Sequence, residues 1–375
     1  MKQYKKYDII IVGGGLAGLT SAIHLSNYSV SILVLEKKAY PHHKVCGEYV
    51  SNEILPYLQS IGVNPIKKNV VKISNLLITT PTNKEITTTL PLGGFGISRY
   101  AFDNLLYNKA KETVDFEFKT VTSIGFTNGV FKVSTQCDTT YHATYVIGSF
   151  GKRSNLDKKL SRSFIQHKSP WLAVKAHYDY DFPSNLVALH SFNGGYCGLS
   201  KTETGTVNAC YLATYHSFKK HDGIDAYQEN NMSKNKALHT FFSKATPLFD
   251  APLTISQVSF QSKKPVENHI FMIGDSAGLI HPLCGNGMAM AIHSAKLFSE
   301  LFLKHEGKNP KNRNLIENAY TKSWNSTFSN RVRTGRLIQR VLMNQTATNI
   351  GFSAVKTIPY LLKTIIKKTH GNPIS

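Results

Sequence analysis

The chain has 375 residues, 41% of them hydrophobic, and a formal net charge of +21 from 44 Lys+Arg against 23 Asp+Glu. That length can bury a large core and hold two domains, and no run reaches the ~18–20 uninterrupted apolar residues of a membrane-spanning helix. The five cysteines (46, 137, 197, 210 and 284) are scattered and lack CxxC spacing, which argues for a reducing cytoplasm and against a disulfide framework or a zinc site.

The first segment, MKQYKKYDIIIVGGG, has the basic-then-apolar look of a signal peptide, but its apolar part is only Ile9–Val12 before glycines. It reads better as a first strand. Gly13, Gly15 and Gly18 follow with G-x-G-x-x-G spacing, then a small-residue helix, a second apolar run and Glu36. The first glycine serves a tight turn, the second lets backbone approach a pyrophosphate, and the third lets the helix pack close to the sheet. Helix N–H groups after Gly15, at Leu16 and Ala17, carry partial positive charge toward a diphosphate. Glu36 is placed to accept hydrogen bonds from ribose hydroxyls and would repel a 2′-phosphate. Nucleotide binding is therefore expected, and NADP at this site is not.

Lys37–Gly62 reads as a loop followed by a helix over EYVSNEILPYLQSIG, residues 48–62. Val70–Thr79 and Glu85–Leu92 read as a hairpin about TPTNK, and Ser98–Glu112 as an amphipathic helix capped by Ser98. Strands are expected at Val121–Phe126, Val130–Ser134 and Tyr141–Ile147. Residues 165–215 alternate as in an antiparallel sheet, and 222–247 reads helical. Ile270–Ile273 is a short buried strand ending in Gly274–Asp275, Met288–Leu303 a long helix, and the tail from 315 helical throughout. The strands at 121–147 and 270–273 are expected to rejoin the first sheet.

The run IFMIGDSAGLIHPLCGNGMAMAIHSA, from Ile270 to Ala295, resembles the second flavin-binding motif of FAD-dependent oxidoreductases with the p-hydroxybenzoate hydroxylase type of fold. The likeness is strongest to geranylgeranyl-reductase-like flavoproteins. In that family the Asp275 carboxylate would hydrogen-bond the ribityl chain. Pro282, Gly285 and Gly287 would turn the chain into a helix whose N-terminus, at Met288, faces the flavin, where a dipole favours the charge of the reduced form. Lys44–Gly47 matches the Lys-x-Cys-Gly loop that passes the flavin, and Arg99 an arginine that braces FAD. Ile147–Ser154 matches a segment that normally reads Asp-Gly before a basic residue. The resemblance covers roughly 5–155 and 262–303.

It implies an α/β fold with a discontinuous Rossmann-like FAD domain (1–69, 95–155 and 262–303). An antiparallel β substrate domain (70–94 and 156–261) would be inserted, and a basic helical region would follow (304–375). The coenzyme contacts so implied are Gly13, Gly15, Leu16, Ala17, Gly18, Glu36, Lys37, Cys46, Gly47, Arg99, Val121, Gly274, Asp275, Gly285, Gly287 and Met288. The chain also departs from the pattern. Phe150 stands where aspartate is usual, which argues against direct docking of NAD(P)H as electron donor. Glu48 replaces a second glycine, and GYCGLS (195–200) replaces the aromatic-rich run of prenyl reductases. The Trp-x-Trp-x-Ile-Pro motif of flavin halogenases is missing.

A flavin performs the redox step itself, so no acid–base dyad is required. Cys46 and His281 are the catalytic candidates. The Cys46 thiol would donate a proton, form an adduct or only pack, and His281 would stabilise reduced flavin or cap a turn. Tyr196 is a candidate substrate contact or a core residue. His42–His43 read as an exposed loop without a further ligand cluster, so no metal is expected.

From Asn318 to Ser375 there is no acidic residue but nine Lys or Arg. Arg333, Arg336 and Arg340 share a helical face, with Ile338, Val341 and Leu342 on another. Lys356, Lys363 and Lys367 recur opposite Val355, Leu362 and Ile366. Such helices lie on anionic membranes, dock an acidic carrier protein or pack on their own domain. The tail lacks the interleaved aromatics of a nucleic-acid surface. The resulting expectation is a cytoplasmic, membrane-associable FAD-dependent oxidoreductase that reduces or desaturates an apolar or conjugated (isoprenoid, polyene or acyl-type) substrate. A monooxygenase of an aromatic or polyene substrate shares every motif, and a basic nucleic-acid-binding flavoprotein is the minor alternative.

Overall fold

A computed structural model describes residues 6–342 and 345–375, and all their side chains but those of 342, 345, 346, 349 and 359. Residues 1–5 of the expected first domain and the Leu342 side chain of the tail pattern lie outside the described residues.

Within the strand Lys6–Val12, Ile9–Val12 is apolar and buried throughout, as a central parallel strand must be where both faces are covered. It pairs in parallel with Ile32–Leu35 on one side and Thr140–Gly148 on the other. Asp115–Glu117 extends the sheet beyond Ile32–Leu35, and Ile270–Met272 extends it beyond Thr140–Gly148. Val266–Glu267 and the hairpin Val121–Thr127/Val130–Thr135 complete eight strands. One sheet thus gathers strands from 6–35, 115–148 and 266–272, so that the strands at 121–147 and 270–273 rejoin the first, as the strand pattern foretold.

The second, nine-stranded sheet is antiparallel except where Leu186–His190 runs parallel to Asn75–Thr79. It carries the hairpin Val71–Thr79/Glu85–Gly96 and the strands Trp171–Asp179, Leu186–Phe192, Gly195–Lys201 and Val207–Thr214. Tyr227, Leu238 and Phe241, from the short helices Gly223–Asn230 and Lys236–Lys244, bury against it.

Three segments differ from the sequence reading. Tyr49–Ser51, expected to open a helix, is instead an edge strand of the second sheet paired with Gly94–Gly96, and the helix shrinks to Leu55–Ser60. The stretch 222–247 breaks at Asn231–Asn235, because Asn235 caps the next helix by accepting from the N–H groups of Ala237 and Leu238. The tail is not one continuous helical run. Arg313–Leu342 packs Ile316, Tyr320, Trp324, Phe328 and Val332 into the first core. Gln345–Thr357 and Pro359–Thr369 are separated at Ile358, which precedes a proline and leaves helical geometry (φ −125°, ψ 82°). The last residues then run along Glu53: the Ile374 N–H donates to the Glu53 carbonyl at 2.8 Å and that of Gly371 to its carboxylate.

Candidate active site

The two glycine-bearing motifs meet. Gly13 turns with φ +106°, and a Cβ there would lie 2.3 Å from the Ser149 carbonyl. Gly18 lets the helix Leu16–Ser26 sit on the loop, since its Cβ would fall 2.1 Å from the Gly13 oxygen. Gly274 (φ +60°), about 260 positions downstream, has Ala17 as the nearest neighbour of its missing Cβ, at 3.0 Å. The two loops therefore pack against each other at the ends of Lys6–Val12 and Ile270–Met272, the strands that flank Thr140–Gly148, the usual ligand position of a parallel sheet.

One cavity of about 1600 Å³ runs along this seam. Gly13, Gly15, Leu16, Ala17, Glu36 and Lys37 line it from the first motif, and Gly274, Asp275, Gly285, Gly287 and Met288 from the second. Cys46, Gly47, Arg99, Val121 and Tyr196 also line it. Gly18 does not. It stands behind the loop as a packing residue. His281 is likewise outside the wall: it is 1% exposed and packed against Trp171, Tyr196 and Phe260. Its Nδ1 accepts from the Leu283 N–H, which caps the turn Pro282–Cys284. Burial pushes its pKa down to about 3, so it is neutral.

The charged groups are held by their neighbours. Glu36 accepts from the Gly14 N–H at 2.7 Å and from those of Lys37 and Lys38, which fixes the strand end around the glycine loop. Arg99 faces Gly15, whose missing Cβ would lie 3.7 Å from its Nη2. Asp103 holds that guanidinium through two hydrogen bonds of 2.7 and 2.8 Å and also pairs with Lys44 at 2.8 Å. Burial alone would raise the Asp103 carboxyl, but the charges of Arg99 and Lys44 outweigh it and hold it low. The N-terminus of the 18-residue helix Gly287–Lys304 opens on the same cavity, with Asn286 at its cap donating to the Thr369 carbonyl at 2.9 Å.

The loop Lys44–Glu48 is moored to the second sheet. Lys175 donates to the Lys44 carbonyl (3.2 Å), Asn208 to that of Cys46 (3.2 Å) and Ser200 to that of Gly47 (3.3 Å). Glu48 takes the left-handed conformation (φ +57°) that the second glycine of the resembled pattern would adopt freely. Its buried carboxylate contacts Lys175, accepts from the Arg99 N–H at 2.7 Å and lies 2.7 Å from His177 Nε2. Burial would raise this carboxyl, yet the hydrogen bond from His177 and the charge of Lys175 hold it low. His43 is half-buried, not exposed as the loop reading had it, and joins Glu48 and His177 in a cluster with ligand atoms within 4.8 Å of one another. Lys175 already supplies the cation there. Lys175 and His177 were not singled out in the sequence, because they lie 127 and 129 positions from Glu48. The only signal was the misfit of Glu48 at a glycine position.

The residues present fit FAD: a glycine cradle that a Cβ would fill, an acid at the second strand end, a braced arginine and an open helix N-terminus. The family model described as "FAD binding domain" matches residues 6–316. The chain is 24% identical over 322 residues to digeranylgeranylglycerophospholipid reductase of Methanocaldococcus jannaschii, covering 80% of this chain and 77% of that protein. It is 23% identical over 337 residues to the FAD-dependent monooxygenase atnA of an Arthrinium species, covering 79% and 44%. The flavin-dependent brominase Bmp2 superposes with a TM-score of 0.77 at 16% identity, over 97% of this chain and 93% of that one. With a coenzyme cradle built from two converging loops and a family match across most of its length, the chain belongs to the FAD-binding-domain family and is an FAD-dependent oxidoreductase.

Proposed function

We propose that this enzyme reduces or desaturates a carbon–carbon bond in a long apolar or conjugated substrate of isoprenoid, polyene or acyl type. The supporting observation is the continuation of the coenzyme cavity into an apolar channel. Leu76, Ile78, Ile86 and Leu90 of the hairpin and Val187 and Leu189 of the next strand form one wall. Phe352, Val355, Leu362 and Ile366 of the C-terminal helices form the other. At about 1600 Å³ the whole cavity exceeds the ~300–1,000 Å³ of an ordinary small-molecule pocket.

Bound FAD supplies the two-electron chemistry. The chain's residues do the rest. Gly13, Gly15 and the helix after them seat a diphosphate, and the N-terminus of Gly287–Lys304 favours negative charge beside Gly287 and Met288. Tyr196 and Cys46 also line the cavity, and in this reading they orient a substrate. Burial raises the Tyr196 phenol well above its usual value, so it remains a neutral hydroxyl. The apolar walls exclude water from the reacting bond. Phe150 also lines the cavity, and electron delivery by a separate reductase accords with an aromatic ring at that place.

The similarity to a monooxygenase supports a second reading, hydroxylation of an aromatic or polyene. The two separate under argon with a chemical reductant. A product that gains hydrogen without oxygen supports reduction. A product that gains an oxygen atom, and only in air, overturns it.

A further inference from the structure

We propose that the corner between the two C-terminal helices is a docking surface for an anionic lipid bilayer, placed at the mouth of the apolar channel. Tyr360 is 77% exposed, Ile350 66% and Ile358 55%, and Leu361 follows Tyr360 on the same turn. These side chains project from the body while Phe352, Leu362 and Ile366 of the same helices bury against it. A helix face whose apolar requirement is already met has no need of a second apolar set. Exposed Lys356, Lys363, Lys367 and Lys368 flank the tip. An apolar tip with a tyrosine, collared by lysines, is the composition of an interfacial anchor.

Charge decides the kind of surface. From Asn318 onward the chain has nine Lys or Arg and no acidic residue, so the face attracts anions and offers no acidic group to a basic partner. An acidic carrier protein would match the charge but leave Ile350, Ile358 and Tyr360 wet. A bilayer satisfies both. The position of the channel supplies the second argument. Leu361, at the tip, lines the cavity and is also exposed, so the tip stands at an opening of the cavity. An apolar molecule leaving the bilayer there would enter the channel without crossing water. Among the described residues no helix is long and apolar enough to cross a membrane, so the contact is peripheral.

The test uses the full chain loaded with FAD and vesicles of phosphatidylcholine, alone or with about one third phosphatidylglycerol, at ~0.15 M and ~0.5 M salt. Co-sedimentation is expected with the anionic vesicles, at least about tenfold weaker with neutral ones, and weakened by salt. Ile358→Asp/Tyr360→Ser and, separately, Lys356→Glu/Lys363→Glu are each expected to lower binding by more than about tenfold while flavin content stays native. A Tyr360→Trp protein is expected to be quenched by lipids brominated in the acyl chain. The proposal is overturned if neither vesicle binds, if both bind equally, if the two double variants bind like the native chain, or if the tryptophan is unquenched. Binding of an acyl carrier protein in place of vesicles overturns it as well. None of these outcomes bears on reduction within the channel, which is read from turnover in detergent.

Discussion

The Oε2 atom of Glu48 and the Nε2 atom of His177 lie 2.7 Å apart, joining the loop that borders the coenzyme cavity to the second sheet. Lys175 contacts the other carboxylate oxygen, and both Lys175 and Glu48 side chains are fully buried. A left-handed backbone at a non-glycine residue costs about 1–2 kcal/mol, and this network offsets it.

Glu48→Gln is therefore expected to strand a buried ammonium and cost about 3–5 kcal/mol, read as a lower Tm and a lower denaturant midpoint. Glu48→Gln/Lys175→Met is expected to recover most of that loss, since the two positions are in contact and non-additive. Equal destabilisation in the single and double variants would show that the ion pair is not the mooring.

Acid should destabilise the protein in two stages. His281 is depressed to about 3, and His190 and His293 to about 4, all by burial. The unfolded chain takes up protons near pH ~6.5 and the folded one does not, so stability is full above ~6.5 and declines as pH falls toward 4. Glu48 and Asp103, held low, add a further loss only as pH falls below the ordinary carboxylate range. Urea midpoints near pH 7 and near pH 5 read the first stage, and His281→Gln should flatten that slope. A midpoint unchanged between these pH values contradicts it.

Gly13 and Gly47 separate stability from binding. Gly13→Ala drives a Cβ into the Ser149 carbonyl at a left-handed position and should impair both folding and FAD retention. A Cβ at Gly47 meets nothing within 4 Å. Gly47→Val should leave the FAD-free protein within about 0.5 kcal/mol of native stability, yet weaken FAD binding measured by flavin fluorescence, because the side chain enters the cavity. Native FAD affinity in Gly47→Val would place the coenzyme elsewhere.

The cradle was readable because its parts are local: three glycines and an acid within 30 residues, and Gly274–Asp275 ending a short buried strand. The channel was not. Its walls combine Leu76 and Val187 with Leu362, and periodicity reports that a side chain is buried without saying against what. Tyr49–Ser51 was misread because an edge strand of three residues carries too little alternation to compete with the helix-like run after it. The tail was legible as basic and amphipathic, but its anchoring to Glu53, more than 300 positions away, left no local trace.

That anchoring is itself testable. Arg331 and Asn286 also reach the buried Glu53 carboxylate, at 3.3 and 3.4 Å. Glu53→Ala should release Gly371, read as lost amide protection at Gly371 in hydrogen exchange, while the Ile374 N–H keeps its bond to the residue 53 backbone carbonyl. Retained protection at Gly371 would show that the carboxylate does not anchor the tail.

The most direct measurement is made on the FAD-loaded protein, photoreduced under argon with EDTA as the electron donor and then given long-chain unsaturated isoprenoids or polyenes. The account predicts that the yellow absorption returns without oxygen, with loss of one substrate double bond per flavin, and that Val187→Trp, which blocks the channel, slows this return but not reoxidation by a small dye. If colour returns only on admitting air, whatever the lipid, if Val187→Trp makes no difference, and if the saturated lipid does not bleach the oxidised flavin under argon, the account is contradicted.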